Sequence, residues 1–117
     1  MTAHEVCETN EKLQSLKIVC FSNLVVCKFK MGENTSVVGI TDQMLDMDPN
    51  HAKALYFRGQ SQVKLENFDE GVKTLKHLCT IETQNGDFKR ELQKAIQART
   101  MFVKKQEAVY SKMFGGK

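Results

Sequence analysis

The sequence predicts an all-α protein, and two observations lead to that prediction. Its 117 residues include one proline and no tryptophan, and its stretches rich in Leu, Lys, Glu and Gln favour helix. Apolar residues recur at three- and four-residue steps in successive segments, which is the spacing of one helix face. With 41% apolar residues, the chain can bury a core, and its length predicts a single domain over 1–117.

The middle of the chain repeats itself at a period of about 34 residues. When 18–51 is aligned with 52–85, apolar positions coincide, and Phe21, for example, falls on Leu55. This period is typical of the tetratricopeptide repeat, a helix–turn–helix unit that stacks into a curved solenoid with a concave binding face. We therefore predict two such repeats, 18–51 and 52–85, followed by a long capping helix over 87–114.

The first helix is predicted from Glu11 to Met31, with the polar residues 1–10 as a frayed lead-in. Gly32 follows it, as expected of a glycine just past a helix end. Phe21 and Val25 widen an apolar stripe that we expect to be buried, except that Leu13 and Leu16 should stay partly exposed because no earlier repeat covers them. That stripe comprises Leu13, Leu16, Cys20, Leu24, Cys27 and Met31.

The later helices are separated by turn residues. The second begins near Thr35 or Ser36 and ends before Pro49, because proline disfavours helix at the preceding residue. The third and fourth are predicted over about 51–64 and 68–82. The last begins at Asp87 as its cap and carries a basic outer face.

A glycine at position 71 falls where the repeat pattern places a small residue at the closest helix contact. We expect Gly71→Leu to destabilise the protein through overpacking and Gly71→Ala to be neutral or stabilising.

The cysteines and histidines do not predict a metal site. Cys7, Cys20, Cys27 and Cys79 form no CxxC pair, and the histidines are scattered. We expect all but Cys7 to be small buried side chains. No cofactor is predicted, and no serine, cysteine or carboxylate set suggests catalysis, so the chain is predicted not to be an enzyme.

Other function classes are disfavoured by composition. No apolar run approaches the roughly 20 residues that cross a bilayer, so no membrane partner is predicted. A net charge of +3 is too mild to indicate a nucleic-acid partner. The first residues lack the shape of a signal peptide, and the predicted compartment is cytoplasmic.

Several strings point to a known family. Ser22-Asn23-Leu24 lies in the first helix, and the Asp-Met-Asp-Pro-Asn of 46–50 precedes the Ala-Lys-Ala-Leu-Tyr-Phe-Arg-Gly-Gln of 52–60. The end, 105–114, closes with Tyr-x-x-Met-Phe. Together they resemble the C-terminal tetratricopeptide domain of FKBP-type immunophilin co-chaperones. Members usually carry an upstream prolyl-isomerase domain and three repeats, so the chain is expected to be a fragment or shortened product without that domain and without most of the first repeat.

The resemblance implies a peptide-binding groove. In that family the concave face binds the Glu-Glu-Val-Asp tail of heat-shock chaperones through a clamp of lysine, asparagine and arginine side chains. By position, Asn23 and Lys53 match clamp residues. Phe57 occupies the position of the clamp arginine. Arg58 is one residue later, about 100° further around the helix, and is not expected to act as the clamp arginine. The predicted peptide-binding residues are Asn23, Lys53, Tyr56, Phe57 and Gln60.

The predicted function is therefore non-catalytic docking of a protein or peptide, with the chaperone tail as the expected partner. Two alternatives stay open: a larger prolyl isomerase whose catalytic domain lies upstream, and a scaffold independent of chaperones. Ile96, Val103 and Val109 also show the 1-8-14 spacing of calmodulin targets on a basic helix, but packing of the capping helix explains the same residues and calmodulin is not the expected partner. Self-association through the first helix is expected too, because no earlier repeat covers its apolar surface.

Overall fold

The computed structural model describes residues 2–115. The predicted domain, 1–117, also contains Met1, Gly116 and Lys117, which lie outside the described residues. Within the described part, the chain has five helices and no strands, so the predicted all-α class is confirmed. In order they are α1 (Ala3–Lys30), α2 (Asn34–Met47), α3 (Ala52–Lys64), α4 (Phe68–Ile81) and α5 (Gly86–Phe114).

The first helix begins earlier than the sequence suggested. The Thr2 hydroxyl accepts a hydrogen bond from the Glu5 backbone N–H at 3.2 Å, and the Glu5 carboxylate accepts one from the Thr2 N–H at 3.0 Å. This capping box satisfies two of the free N–H groups at the helix start. His4 and Glu8 add an i,i+4 pair at 3.0 Å. The prediction of a frayed lead-in over 1–10 is therefore wrong from Ala3 onward.

The start of the last helix also differs from the prediction. The Asn85 side-chain oxygen accepts hydrogen bonds from the backbone N–H groups of Asp87 and Phe88, at 3.0 and 3.3 Å. Asn85 is therefore the cap of α5, in place of the predicted Asp87, which lies in the first turn.

The turns inside the two helical hairpins share one backbone conformation. Gly32, between α1 and α2, has φ 76°, and Glu66, between α3 and α4, has φ 64°. The two residues occupy the same phase of the repeat. This left-handed conformation suits glycine and strains a residue that carries a Cβ.

Replacing Glu66 with glycine should stabilise the protein by about 1 kcal/mol, because it removes the left-handed strain. Urea denaturation followed by circular dichroism measures the change. Gly32→Ala is the matched control and should destabilise by a similar amount, since it introduces the same strain in the other hairpin. A less stable Glu66→Gly protein would show that the Glu66 side chain contributes more than its backbone conformation costs.

The core consists of two clusters that meet along α3. In one cluster, Val25 of α1, Val37 and Met44 of α2 and Ala54 of α3 are buried together. The other gathers buried side chains from α3, α4 and α5: Leu55, Val72, Leu75, Leu78 and Ala95. Helix α3 is thus packed on both sides and contacts all four other helices.

Two glycines allow α3 and α4 to cross closely. A Cβ on Gly59 would lie 2.6 Å from Leu75 Cγ, and one on Gly71 would lie 2.7 Å from Val63 Cγ2 and 3.2 Å from the Gly59 carbonyl oxygen. Both distances to side-chain carbon are shorter than van der Waals contact. The expectation that alanine is tolerated at position 71 is therefore wrong, because the β-branched Val63 has little freedom to move away.

The apolar stripe of α1 lies on the exposed side of that helix, as expected for Leu13 and Leu16 and contrary to expectation for Leu24 and Met31. The side chains that pack against the core are Val25, Ile18, Phe21 and Phe29. Leu13 and Leu16 are 53% and 59% exposed. Helix α1 carries two apolar stripes, and the described residues cover only one of them.

The same arrangement changes the prediction for the cysteines. Cys20 and Cys27 are exposed, contrary to expectation, and Cys7 is exposed as expected. Only Cys79 is partly covered. Burial raises the pKa of its thiol above the usual value, and the nearby Lys89 opposes that rise.

The described helices include none that is long and apolar enough to span a membrane. The molecule measures 77 × 29 × 25 Å. Its length comes from the two long helices, α1 and α5. Every residue is exposed over 2–17 at the start of α1 and over 103–115 at the end of α5.

Candidate functional site

Helix α3 presents one open face between its neighbours. Lys53, Phe57, Gln60 and Lys64 follow one another at steps of three or four residues, so they share one side of the helix, with Tyr56 at its edge. Lys53 and Lys64 are exposed, while the other three are partly buried. We call these five residues the α3 open face. The structure thus brings together four predicted site residues: Lys53, Tyr56, Phe57 and Gln60.

A row of aromatic rings crosses this face. The ring centroids of Phe29 and Phe57 lie 5.0 Å apart, those of Phe57 and Tyr56 5.4 Å, and those of Tyr56 and Phe88 5.1 Å. These distances are typical of favourable aromatic pairs. The aromatic row therefore links α1, α3 and α5 and offers a continuous, partly exposed apolar floor.

Cations stand beside the aromatic row. The Lys64 ammonium lies 4.1 Å from the centroid of the Phe29 ring, within the range of a cation–π interaction. Next to it, a cleft of about 260 Å³ opens between α3 and α5. Gln60, Lys64 and Lys94 contribute to its lining, as does Glu91, whose carboxylate is 3.5 Å from the Lys94 ammonium. The face combines apolar surface with amide and ammonium donors.

Asn23 is exposed on α1, at the same phase of the repeat as Phe57 on α3. It lies six residues before Phe29, about 120° away around α1, so the two side chains are on different sides of the helix and Asn23 is not among the residues that the structure brings together. Its position is that of a surface amide with donor and acceptor free to meet a ligand.

Arg58 points away from the open face. Its Nε lies 2.8 Å from Asp42 Oδ1 of α2, and its side chain is 28% exposed. The expectation that Arg58 does not replace the arginine of the clamp agrees with this ion pair.

The three residues with calmodulin-target spacing are not presented together. Ile96 packs against the core cluster of Leu55, whereas Val103 and Val109 are 44% and 57% exposed on the outer half of α5. A partner that binds all three of these side chains would first have to detach α5 from α4.

The sequence did not single out three residues of this site: Phe29, Lys64 and Phe88. Lys64 stands one turn after Gln60, so helical spacing alone could have found it. The two phenylalanines reach the face from other helices, and their contacts depend on how each helix is rotated. No comparable signal exists in the sequence for them.

Among residues 2–115, no three His, Cys, Asp or Glu side chains converge on a point that could hold a metal ion. The side chains of the α3 open face are aromatic rings, an amide and ammonium groups.

The fold and the open face define a class of protein, the tetratricopeptide-type helical solenoid. The chain is 31% identical over 80 residues to the human FK506-binding protein-like, an alignment that covers 68% of the chain and 23% of that relative. It is 24% identical over 106 residues to FK506-binding protein 59 of Drosophila melanogaster, covering 91% of the chain and 24% of the relative. With the DnaJ homolog subfamily C member 7 homolog of Dictyostelium discoideum, it shares 23% over 111 residues, covering 95% and 20%.

These similarities support a tetratricopeptide-type region. The chain spans about a quarter or less of the length of these curated relatives. No protein-family model matches the sequence.

Proposed function

We propose that the chain is a non-catalytic docking module that binds an extended acidic peptide across the α3 open face. The observation that carries the proposal is the α3 open face itself, where the aromatic row lies between Lys53 and Lys64 at opposite ends of the helix. An apolar side chain of the peptide would rest on the rings while its carboxylates meet the ammonium groups. Charge-assisted hydrogen bonds to a carboxylate are stronger than neutral ones.

The partner that suits this chemistry is the acidic C-terminal tail of a heat-shock chaperone. The Glu-Glu-Val-Asp sequence supplies carboxylates at its end and valine as the apolar contact. Similarity to FK506-binding proteins and to a DnaJ homolog supports a co-chaperone role. In this proposal Asn23 donates its amide to the peptide from α1, and Gln60 donates from the floor of the cleft.

Calorimetry of the purified chain against Glu-Glu-Val-Asp peptides tests the proposal. The free-carboxylate peptide should bind at least about tenfold more tightly than the C-terminally amidated one, because a charged hydrogen bond contributes roughly 1.5–3 kcal/mol. The affinity should also fall as salt is added. Equal affinity of the two peptides, or no binding by either, would contradict a site for terminal carboxylates.

A matched pair of variants distinguishes binding at the α3 open face from attraction of the peptide to the net charge of the protein. Lys53→Met keeps the aliphatic stem and removes the ammonium, so it should weaken binding about fivefold or more. Lys73→Met makes the same change on α4, where Lys73 is exposed away from the open face, and should leave the affinity unchanged. If both variants weaken binding equally, the peptide responds only to net charge.

A further inference from the structure

The uncovered side of α1 carries an apolar stripe, interrupted by Thr9 between Val6 and Leu13. Its residues lie opposite the side that packs on the core, and several are substantially exposed: Val6 41%, Leu13 53%, Leu16 59% and Leu24 41%. We define the α1 stripe by its members: Val6, Leu13, Leu16, Cys20, Leu24, Cys27 and Met31. From Val6 to Met31 it runs for about 37 Å, at 1.5 Å per residue.

The repeat shows what kind of element fits this stripe. One period of about 34 residues later, Cys20 and Cys27 correspond to Ala54 and Ser61 of α3, which are both fully buried. Ala54 is buried with side chains of α2. In α3 this side is therefore covered by α2, a helix that runs antiparallel to it. The corresponding side of α1 has the shape to receive an antiparallel helix.

The charges of α1 indicate which helix that is. The half over 3–16 carries three glutamates against one lysine, and the half over 17–30 carries three lysines and no acidic residue. Two copies of α1 in antiparallel orientation place the acidic half of each against the basic half of the other. A parallel pair would place like charges together along its whole length.

We propose that two copies of the chain form a symmetric dimer by antiparallel pairing of their α1 stripes. The spacing of the stripe allows its side chains to interdigitate. Val6 then fits between Cys27 and Met31 of the second copy, and Leu13 fits between Cys20 and Leu24 of the second copy. Leu16 lies next to the two-fold axis.

The same register places Glu5 opposite Lys30 of the second copy along one edge of the stripe. It also sends the two helical bodies to opposite ends of the dimer, because each body is attached to the second half of its own α1. The α3 open face is not part of this interface. Of the residues assigned to the peptide, only Asn23 lies near it, because Asn23 follows Glu5 by 18 residues and so lies on the same edge of α1.

Sedimentation equilibrium of residues 1–117, from about 1 to 500 µM, tests the dimer. We expect a reversible monomer–dimer equilibrium with a Kd on the order of 10 µM, as for a modest helix-pair interface. Leu16→Glu should weaken it at least about 100-fold, because two like charges would meet at the axis. Circular dichroism checks that this exposed substitution leaves the fold intact. A monomer at 500 µM, or a dimer unaffected by Leu16→Glu, would overturn the proposal and assign the stripe to another partner.

Two controls make the test specific. Met101→Glu alters a residue on α5 that is 61% exposed, comparable to Leu16, and should leave dimerisation unchanged. A pair of substitutions then tests the orientation. Lys30→Glu should weaken the dimer several-fold, because position 30 faces Glu5 of the second copy. Adding Glu5→Gln, which keeps a side chain suited to the capping box of α1, should restore most of the affinity. Failure of the double variant to recover would overturn the antiparallel orientation.

Alkylation gives a second, independent readout. Cys20 and Cys27 should react with iodoacetamide several-fold more slowly at 500 µM protein than at 1 µM, because pairing covers them. Cys7 lies on the other side of α1, since successive residues are about 100° apart, and its rate should not change. Equal rates for Cys20 and Cys27 at the two concentrations would show that the stripe stays open.

Discussion

Gly71→Leu should destabilise the protein by about 3 kcal/mol, at the upper end of the usual cost of overpacking. A Cβ at this position already lies 2.7 Å from Val63 and 3.2 Å from the Gly59 carbonyl oxygen, so the rest of a leucine side chain has no room. The crossing of α3 and α4 would have to open, and that crossing holds Leu75 in the core. Thermal denaturation should show a midpoint lower by about 10–20 °C, given roughly 4–8 °C per kcal/mol in a small domain.

The alanine variants supply the controls. Gly71→Ala should destabilise by about 1 kcal/mol, since it adds only the Cβ that meets Val63. Gly39→Ala makes the same chemical change in α2, where nothing lies within 4 Å of the new Cβ, and should stabilise by about 0.5–1 kcal/mol through helix propensity. If Gly71→Ala also stabilises, the two helices separate at little cost and the close crossing is not what holds them.

Most helix boundaries could be predicted because the chain marks them with residues of special backbone chemistry. Gly32 supplies the left-handed turn after α1, and Pro49 ends α2 near Met47. The start of α1 was missed because residues 3–10 are polar and show little periodicity. Their helix depends on the capping box of Thr2 and Glu5, a signal of two residues that is easily overlooked.

The side of α1 that faces the core could not be predicted from periodicity. The spacing of Leu13, Leu16 and Cys20 establishes a stripe, but a stripe does not specify which neighbour covers it. The second set, Phe21 and Val25, is narrower and yet makes the contacts with α2 and α3. Periodicity shows which residues of one helix share a side, whereas burial depends on how all the helices of the chain pack together.

The candidate site also has one part that the sequence could predict and one part that it could not. Lys53, Phe57 and Gln60 lie on one helix, so the sequence could place them on one face with only the geometry of that helix. The aromatic row required the relative rotation of three helices, which brings Phe29 and Phe88 to the same surface. That rotation is set by core packing between residues far apart in sequence.

Phe57→Arg should raise the affinity for a free-carboxylate Glu-Glu-Val-Asp peptide about tenfold or more. The two positions 53 and 57 lie about 6 Å apart along α3, one helical turn, so both side chains could reach one carboxylate. Phenylalanine cannot donate to it, whereas a guanidinium presents a planar, always-charged fork. The Phe29 ring, now 5.0 Å from the Phe57 ring, would support the guanidinium by stacking. A charged hydrogen bond contributes roughly 1.5–3 kcal/mol, and about 1.4 kcal/mol is tenfold.

Calorimetry at two salt concentrations measures this gain, which should shrink as ionic strength rises. The gain should disappear when Lys53→Ala is added to Phe57→Arg, because the carboxylate then loses the second of its two cations. Arg58→Ala should leave peptide affinity nearly unchanged, since the Arg58 side chain is paired with Asp42 on the α2 side. It should lower stability only slightly, as expected of a partly exposed ion pair. If Arg58→Ala abolishes binding while Phe57→Arg has no effect, the peptide contacts the other side of α3, and the α3 open face is not its binding site.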